Sequence, residues 1–295
     1  MFKNIVPGLV SFDTALSKLS GFYYSDNFNY YSGTEKKNPF HYHVFINNNI
    51  HIPQKYDFRN GYFTKSGNRW YYERKLGILS LKFCFDPANK TFSFNHLHAL
   101  IPFQIGYIFP VGMHIADFIN LDLFLSGIIS FRGCAYNYNR KNVCVIAPGL
   151  NGKTSLIKKV LEKNGECIAE DVLLLDLHKS TVYPSNIRTD IFARKASKDI
   201  KDLHSGKFIT DPQNISELFL VQNSTNTNYT CQNKNFFDFL NMCSLPFNAN
   251  PFIRSYIFEE PLMKEVVVKL GLLKKEKIKF IFKYIKEFNY NFLEK

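Results

Sequence analysis

The sequence predicts an α/β (α+β) fold with a central mixed sheet, a β-rich region before it and a helical region after it. Three observations lead there. Residues 1–105 alternate short aromatic runs with Asn, Gly and Pro turn signals. The middle of the chain sets an apolar strand, a glycine-containing loop and an amphipathic helix in succession. The last part is rich in lysine and large apolar residues. The expected regions are a β-rich one at 1–105 suited to substrate recognition, a P-loop nucleotide-binding core at 106–221, and a helical, basic one at 222–295.

The bulk properties set limits. At 295 residues and 45% apolar residues, the chain can bury a sizeable core, which excludes global disorder. A net charge of +12 favours anionic partners without choosing among nucleotides, nucleic acid and a membrane surface. The six cysteines show no C-x-x-C pair and no zinc-ligand spacing; Cys134, Cys144 and Cys167 lie in strand-like runs and read as buried thiols. Met1-Phe2-Lys3-Asn4 does not begin a secretory signal. The most apolar part, 98–131, is broken by Pro102, Pro110, Asp117 and Asp122. A cytoplasmic location is the expectation.

The elements follow in order. His43–Ile46 and Leu79–Phe85 alternate as strands, and Asp86-Pro87-Ala88-Asn89-Lys90 reads as the turn of a hairpin. Residues 113–128 read as a helix, with Ile115, Phe118, Ile119, Leu121 and Leu125 mostly on one face. Gly127–Ala135 is a strand, Tyr136–Lys141 a polar turn, and Asn142–Ala147 a short buried strand. From Thr154 to Lys163 the pattern is helical: Leu156, Ile157, Val160 and Leu161 share one face, and Asn164-Gly165 ends the run. Strands are expected at Cys167–Ala169 and Asp171–Leu175, a turn at His178–Ser180, and returning strands at Thr181–Tyr183 and 216–221. Residues 222–234 read as a loop.

Ala147-Pro148-Gly149-Leu150-Asn151-Gly152-Lys153-Thr154-Ser155 carries the chemistry. A phosphate-binding loop needs small residues, so that backbone N–H groups at a helix N-terminus can converge on phosphate oxygens. It also needs a lysine for the outer phosphates and a Ser or Thr hydroxyl for Mg²⁺. Ala147 stands where the usual pattern begins with Gly, while Gly152, Lys153 and Thr154 keep its end. Pro148, Gly149, Leu150, Asn151, Gly152, Lys153, Thr154 and Ser155 are therefore the candidate ATP-binding residues. Glu170-Asp171 begins the next strand 17 residues after Lys153, which puts two carboxylates beside the phosphate site.

These features resemble the catalytic domain of HPr kinase/phosphorylase and its relatives, a group similar in fold to phosphoenolpyruvate carboxykinase. The resemblance covers roughly 105–195. It rests on Ile129-Ser130-Phe131-Arg132-Gly133, the loop Ala147–Ser155, the helix ending in Gly165, and Ile168-Ala169-Glu170-Asp171 with the apolar run after it. It implies an ATP-dependent kinase acting on a hydroxyl. Glu170 is then the base for the acceptor proton, and Asp171 and Thr154 are the Mg²⁺ ligands. Arg132 stands where the family has a His, and being permanently charged it can stabilise phosphate but cannot shuttle a proton. Glu170 replaces the family's Asp and is longer by one methylene, a displacement of about an ångström that can cost on the order of a hundredfold in rate. Ile187-Arg188 weakly matches a family arginine, which makes Arg188 a third candidate catalytic residue.

Other signals are fainter. His41 and His43 share one face of a strand as two metal ligands would, but with no third ligand at a telling distance in the sequence they, like His96, His98 and His114, read as non-ligands. The stretch Lys264–Lys286 holds eight lysines among apolar residues and reads as an amphipathic helix packed on the core; a membrane-surface role stays open but is not favoured. Three readings remain: a kinase whose acceptor is a serine of a protein or peptide or a small hydroxylated metabolite; a non-catalytic nucleotide-binding regulator; and an ATPase or nucleic-acid-associated protein, the least favoured. The family resemblance also admits a homo-oligomer.

Overall fold

The computed structural model describes residues 2–16, 19, 22, 38–101, 108–147, 152–176, 178–185 and 207–221, and the backbone of 278–281. They fall into two compact units, one up to Asp122 and one from Leu123 onwards. No helix among the described residues is long and apolar enough to cross a membrane.

The first unit is built on one mixed sheet. Its strands are β1 (Phe2–Val6), β2 (Val10–Thr14), β3 (Phe40–Ile46), β4 (Phe58–Asn60), β5 (Phe63–Ser66), β6 (Arg69–Leu76), β7 (Leu79–Asp86) and β8 (Thr91–Phe94). They lie in the order β1-β2-β3-β8-β7-β6-β5-β4. The pairs β2–β3 and β3–β8 are parallel and the others antiparallel. Asp86–Lys90 makes the hairpin turn the sequence predicts: the Asp86 carboxylate accepts from the Asn89 backbone N–H at 3.3 Å, and Lys90 takes a φ of 49°. A short helix α1 (His96–Ala99) is capped by Asn95, and α2 (Val111–Leu125) begins before the expected 113.

The aromatic richness of this unit goes into its core. Phe118 on α2 meets Phe63, Trp70, Phe83 and Phe85 with ring centroids 5.2–5.9 Å apart. His114, one turn earlier, lies 4.6 Å from the Tyr72 ring and is fully enclosed. Burial of an aromatic or branched side chain contributes about 1.5–3 kcal/mol each. Period-two alternation on the strands and the i, i+4 spacing on α2 therefore meet in one core.

The second unit holds β9 (Ile128–Tyr138), β10 (Lys141–Ile146), α3 (Lys153–Glu162), β11 (Glu166–Ala169), β12 (Val172–Asp176), β13 (Thr181–Tyr183), β14 (Gln213–Asn214), β15 (Glu217–Val221) and β16 (Ile278–Ile281). Its sheet runs β14-β13-β12-β9-β10-β15-β16, with β11 also paired to β9. The long β9 is the axis. On one side it pairs antiparallel with β10; on the other it pairs first with β12 and then with β11. β15 continues from β10 in parallel, and β16 from β15 in parallel.

Three local expectations change. The polar turn at 136–141 shrinks to Asn139-Arg140, whose φ values of 51° and 61° fit a two-residue hairpin turn. Tyr136 is buried and stays in the ladder because cross-strand packing outweighs its polar neighbours. Gly165 follows α3 as expected, but the left-handed residue is Asn164, with φ 62°. The Gly165 N–H donates to Val160 O at 2.8 Å and that of Asn164 to Leu161 O at 3.2 Å, a Schellman closure. Gly165 is required by space instead: a Cβ there would lie 2.4 Å from Val160 Cγ1 and 2.8 Å from Asn137 O. Within the expected C-terminal helix, Ile278–Ile281 is a strand; β-branched and aromatic residues there pair with the open edge of β15. The rest of 222–295 lies outside the described residues.

Candidate functional site

The site forms where β9, β10 and β12 meet the start of α3. β10 ends at Ile146 opposite Gly133 of β9. The Ala147 N–H donates to Arg132 O at 3.1 Å, and the Gly133 N–H donates to Asp171 O at 2.9 Å. One hydrogen-bonded row thus joins the mouth of the loop, the Arg132-Gly133 dipeptide and the acidic pair. Gly133 is imposed by this packing: a Cβ would lie 2.5 Å from Val145 O and 2.6 Å from Leu173 Cδ1.

Glu170 and Asp171 are the two-residue break between β11 and β12. Ala169 pairs with Ala135, and Val172 with Arg132, so the break lies beside Gly133 and Cys134. Backbone that leaves the ladder here can turn two carboxyl groups towards the sheet end. Glu170 is buried, and Asp171 is 19% exposed at its side chain.

Gly152 precedes α3 with φ 68°, a left-handed conformation that L side chains resist. It supplies no side-chain cap, and the first turn of α3 contains no acidic residue, so the helix's own side chains leave its positive end unopposed. Lys153 opens the helix and is buried; its Nζ lies 3.7 Å from Asp171 Oδ1. Thr154 is half-buried and Ser155 exposed on the same first turn. The apolar face expected for α3 is the one that packs: Leu156, Ile157, Val160 and Leu161 join Cys134, Tyr136 and Val145 in a single cluster. That packing fixes where the helix start, and with it Lys153, can be.

Arg132 shares its strand face with Cys134 and Tyr136 by alternation, the face on which α3 lies. Its Nε is buried with no hydrogen-bond acceptor among the described residues. A buried guanidinium donor left this way costs about 1–3 kcal/mol until an acceptor arrives. Cys134 is a neighbour the sequence did not suggest as part of the site. Burial pushes its thiol up to about 12; nearby Lys153 opposes this, while Asp171 and Glu170 add to it. Cys134 is therefore a neutral packing thiol at physiological pH, not a nucleophile. Its only sequence signal was its place directly after Arg132-Gly133.

The structure thus brings Arg132, Lys153, Thr154, Glu170 and Asp171 to one end of one sheet. Pro148, Gly149, Leu150, Asn151 and Arg188 lie outside the described residues. Compared with known proteins, the chain matches no family model and no curated protein.

Proposed function

We propose that this chain is an ATP-dependent phosphotransferase that moves the γ-phosphoryl group to a hydroxyl, in the manner of the HPr kinase/phosphorylase group its sequence resembles. The observation that carries the reading is a buried lysine on the first turn of an uncapped helix, behind a left-handed glycine, with a carboxylate 3.7 Å from its ammonium. Lys153 would pair with the outer phosphates, and the first N–H groups of α3 would receive phosphate oxygens. Thr154 and Asp171 would hold Mg²⁺, which neutralises charge between the β- and γ-phosphates. Without nucleotide, Asp171 and Lys153 screen each other; on binding, each would turn to its own partner.

Glu170 is the carboxylate left to accept the acceptor's proton. Its burial next to Asp171 suits a base shielded from bulk water. Arg132 offers its buried Nε to a phosphate oxygen, which supports charge stabilisation at that position. The same arginine favours a second reading, a nucleotide-binding regulator without turnover, because it cannot carry a proton where the family has a histidine.

One experiment separates the two readings. The chain is incubated with γ-labelled ATP and Mg²⁺, with cell extract as the acceptor pool. Transfer of label, lowered at least about a hundredfold by Glu170→Gln while ATP binding stays within a few-fold, is the expected result. Tight ATP binding with no transfer to any acceptor overturns the kinase reading in favour of the regulator.

A further inference from the structure

Two strands of the first unit assemble a cluster that the phosphate site does not use. β2 and β3 are parallel, with Ser11 opposite His41 and Asp13 opposite His43. Residues two apart share a face, so all four side chains stand together on it. The Asp13 Oδ2 lies 3.0 Å from His41 Nε2 and 3.7 Å from His43 Nδ1. Asp13, His41 and His43 can each offer one ligand atom, all within 4.8 Å of one another.

We propose that Asp13, His41 and His43 form a binding site for a divalent transition-metal ion of the zinc class. Donors at zinc–nitrogen and zinc–oxygen distances around a tetrahedral ion are about 3.3–3.5 Å apart, and the two separations from Asp13 straddle that spacing. Two imidazoles and one carboxylate are the borderline donors that zinc prefers and that magnesium, which seeks oxygen, does not.

The surroundings fit a ligand set. His41 Nδ1 lies 2.9 Å from Ser11 Oγ, and Ser11 is buried. A proton on Nδ1 donated to that hydroxyl leaves the Nε2 lone pair facing Asp13, the arrangement in which a second hydrogen bond orients a metal-binding histidine. Ser11 Oγ also accepts the Asn38 backbone N–H at 3.2 Å, which holds the hydroxyl in place. Phe2 stacks on the His41 ring at 5.9 Å. His43 and Asp13 are 48% and 35% exposed at their side chains. Three protein ligands open to solvent leave a fourth position for water or an exogenous ligand, unlike a closed structural zinc site.

This site shares no residue with the phosphate-binding end of the second unit and goes beyond the phosphotransferase reading. The test is zinc titration of the chelator-treated full chain without nucleotide, by calorimetry and native mass spectrometry. Wild type should take up one Zn²⁺ that excess Mg²⁺ does not displace. His43→Ala and Asp13→Ala should each lower the affinity at least about a hundredfold, since loss of a mere orienting partner costs about 10- to 100-fold. Both positions are partly exposed, and unchanged circular dichroism and thermal melting establish that these variants fold. Co²⁺ should give a tetrahedral visible spectrum with no thiolate charge-transfer band. No zinc uptake by wild type, equal uptake by both variants, or a thiolate band from the bound ion overturns the proposal; the cluster is then a Ser11–His41–Asp13 hydrogen-bond chain only. Lys153→Ala should lower nucleotide affinity about 10- to 100-fold and leave zinc uptake intact, so that each reading can fail alone.

Discussion

The two units make their charged clusters by opposite means. In the second, the chemistry is contiguous: strand, loop and helix follow one another within Asn142–Glu162, and the acidic pair comes soon after. In the first, the cluster exists only because β2 and β3 pair in one register, which brings Asp13 to His41 and His43 across a sequence separation of 28 or more. A contiguous motif announces itself because backbone geometry demands particular residues at fixed spacing. A cluster made by pairing leaves only its two-residue halves in the sequence. The buried polar groups differ too: those of the first unit include two histidines, His98 and His114, beside Asp86 and Asp117, whereas the described ones of the second include Lys153, Glu170 and Asp176 and no histidine.

The largest expected effect is on the contiguous site. Lys153→Ala deletes the charge that pairs with phosphate, and charge-assisted hydrogen bonds contribute about 1.5–3 kcal/mol. ATP affinity should fall about 10- to 100-fold, measured by calorimetry. Gly152→Val should do the same, because at φ 68° a β-branched residue forces the loop to shift. Unchanged affinity in both folded variants would remove the phosphate-loop assignment and leave the comparison with one site.

Next is Gly133→Ala. The nearest atoms to the new Cβ include a backbone oxygen of β10, Val145 O at 2.5 Å, which cannot move without disturbing the strand. Overpacking of this kind costs about 1–3 kcal/mol. The melting of the second unit should shift downwards while zinc uptake by the first is unchanged. An unaltered melting temperature would show that β9 and β10 are looser than their packing indicates.

These tests bear on what was readable beforehand. The face of α3, the hairpin at Asp86–Lys90 and the strand–loop–helix order all follow from local rules of period and turn chemistry. The ends of β9 do not. Tyr136 and Tyr138 look like turn residues in isolation, yet Tyr136 packs in the α3 cluster and Tyr138 against it. Ile278–Ile281 lies in a stretch with mixed helical and strand signals, and pairing with β15 settles it. Lys153 and Asp171 could be placed near each other from sequence, but not the ammonium–carboxylate pairing. His41 and His43 could be read as half a ligand set; Asp13, an acid in another strand, gave no signal at a distance of 28 residues.

A smaller effect separates metal from phosphate at the second unit's site. If Thr154 and Asp171 hold Mg²⁺, Asp171→Asn should weaken Mg·ATP binding about tenfold, because a hard cation prefers a carboxylate to an amide. Binding of metal-free ATP should be unchanged or slightly tighter, since the variant also releases Lys153 from a carboxylate 3.7 Å away. Equal losses with and without Mg²⁺ would make Asp171 a structural partner of Lys153 only.

The smallest effect tests the first unit's core in acid. His114 Nε2 is buried with no hydrogen-bond partner among the described residues, and the ring sits among Tyr72, Phe63 and Phe83, with His98 at 5.3 Å. Burial holds its pKa well below the ordinary 6.5, and the neighbouring His98 lowers it further; His98 is itself lowered by burial, against hydrogen bonds to Phe109 and Lys82. The unfolded chain takes up these protons near pH 6.5 while the folded chain does not. The stabilisation is therefore fully present above 6.5 and is lost as pH falls below it towards the depressed folded values. Each group contributes up to about 1.4 kcal/mol per pH unit in that window. With chelator present, to keep the Asp13, His41 and His43 cluster metal-free, the first unit should lose thermal stability between pH 6.5 and 5.5 faster than the second. His114→Leu, close in size and without an unpaired nitrogen, should flatten that slope by about 1 kcal/mol per pH unit. An unaltered slope would mean that His114 is protonated in the folded state, and the contrast between a histidine-enclosing core and one with no buried histidine among its described residues would carry no consequence for stability.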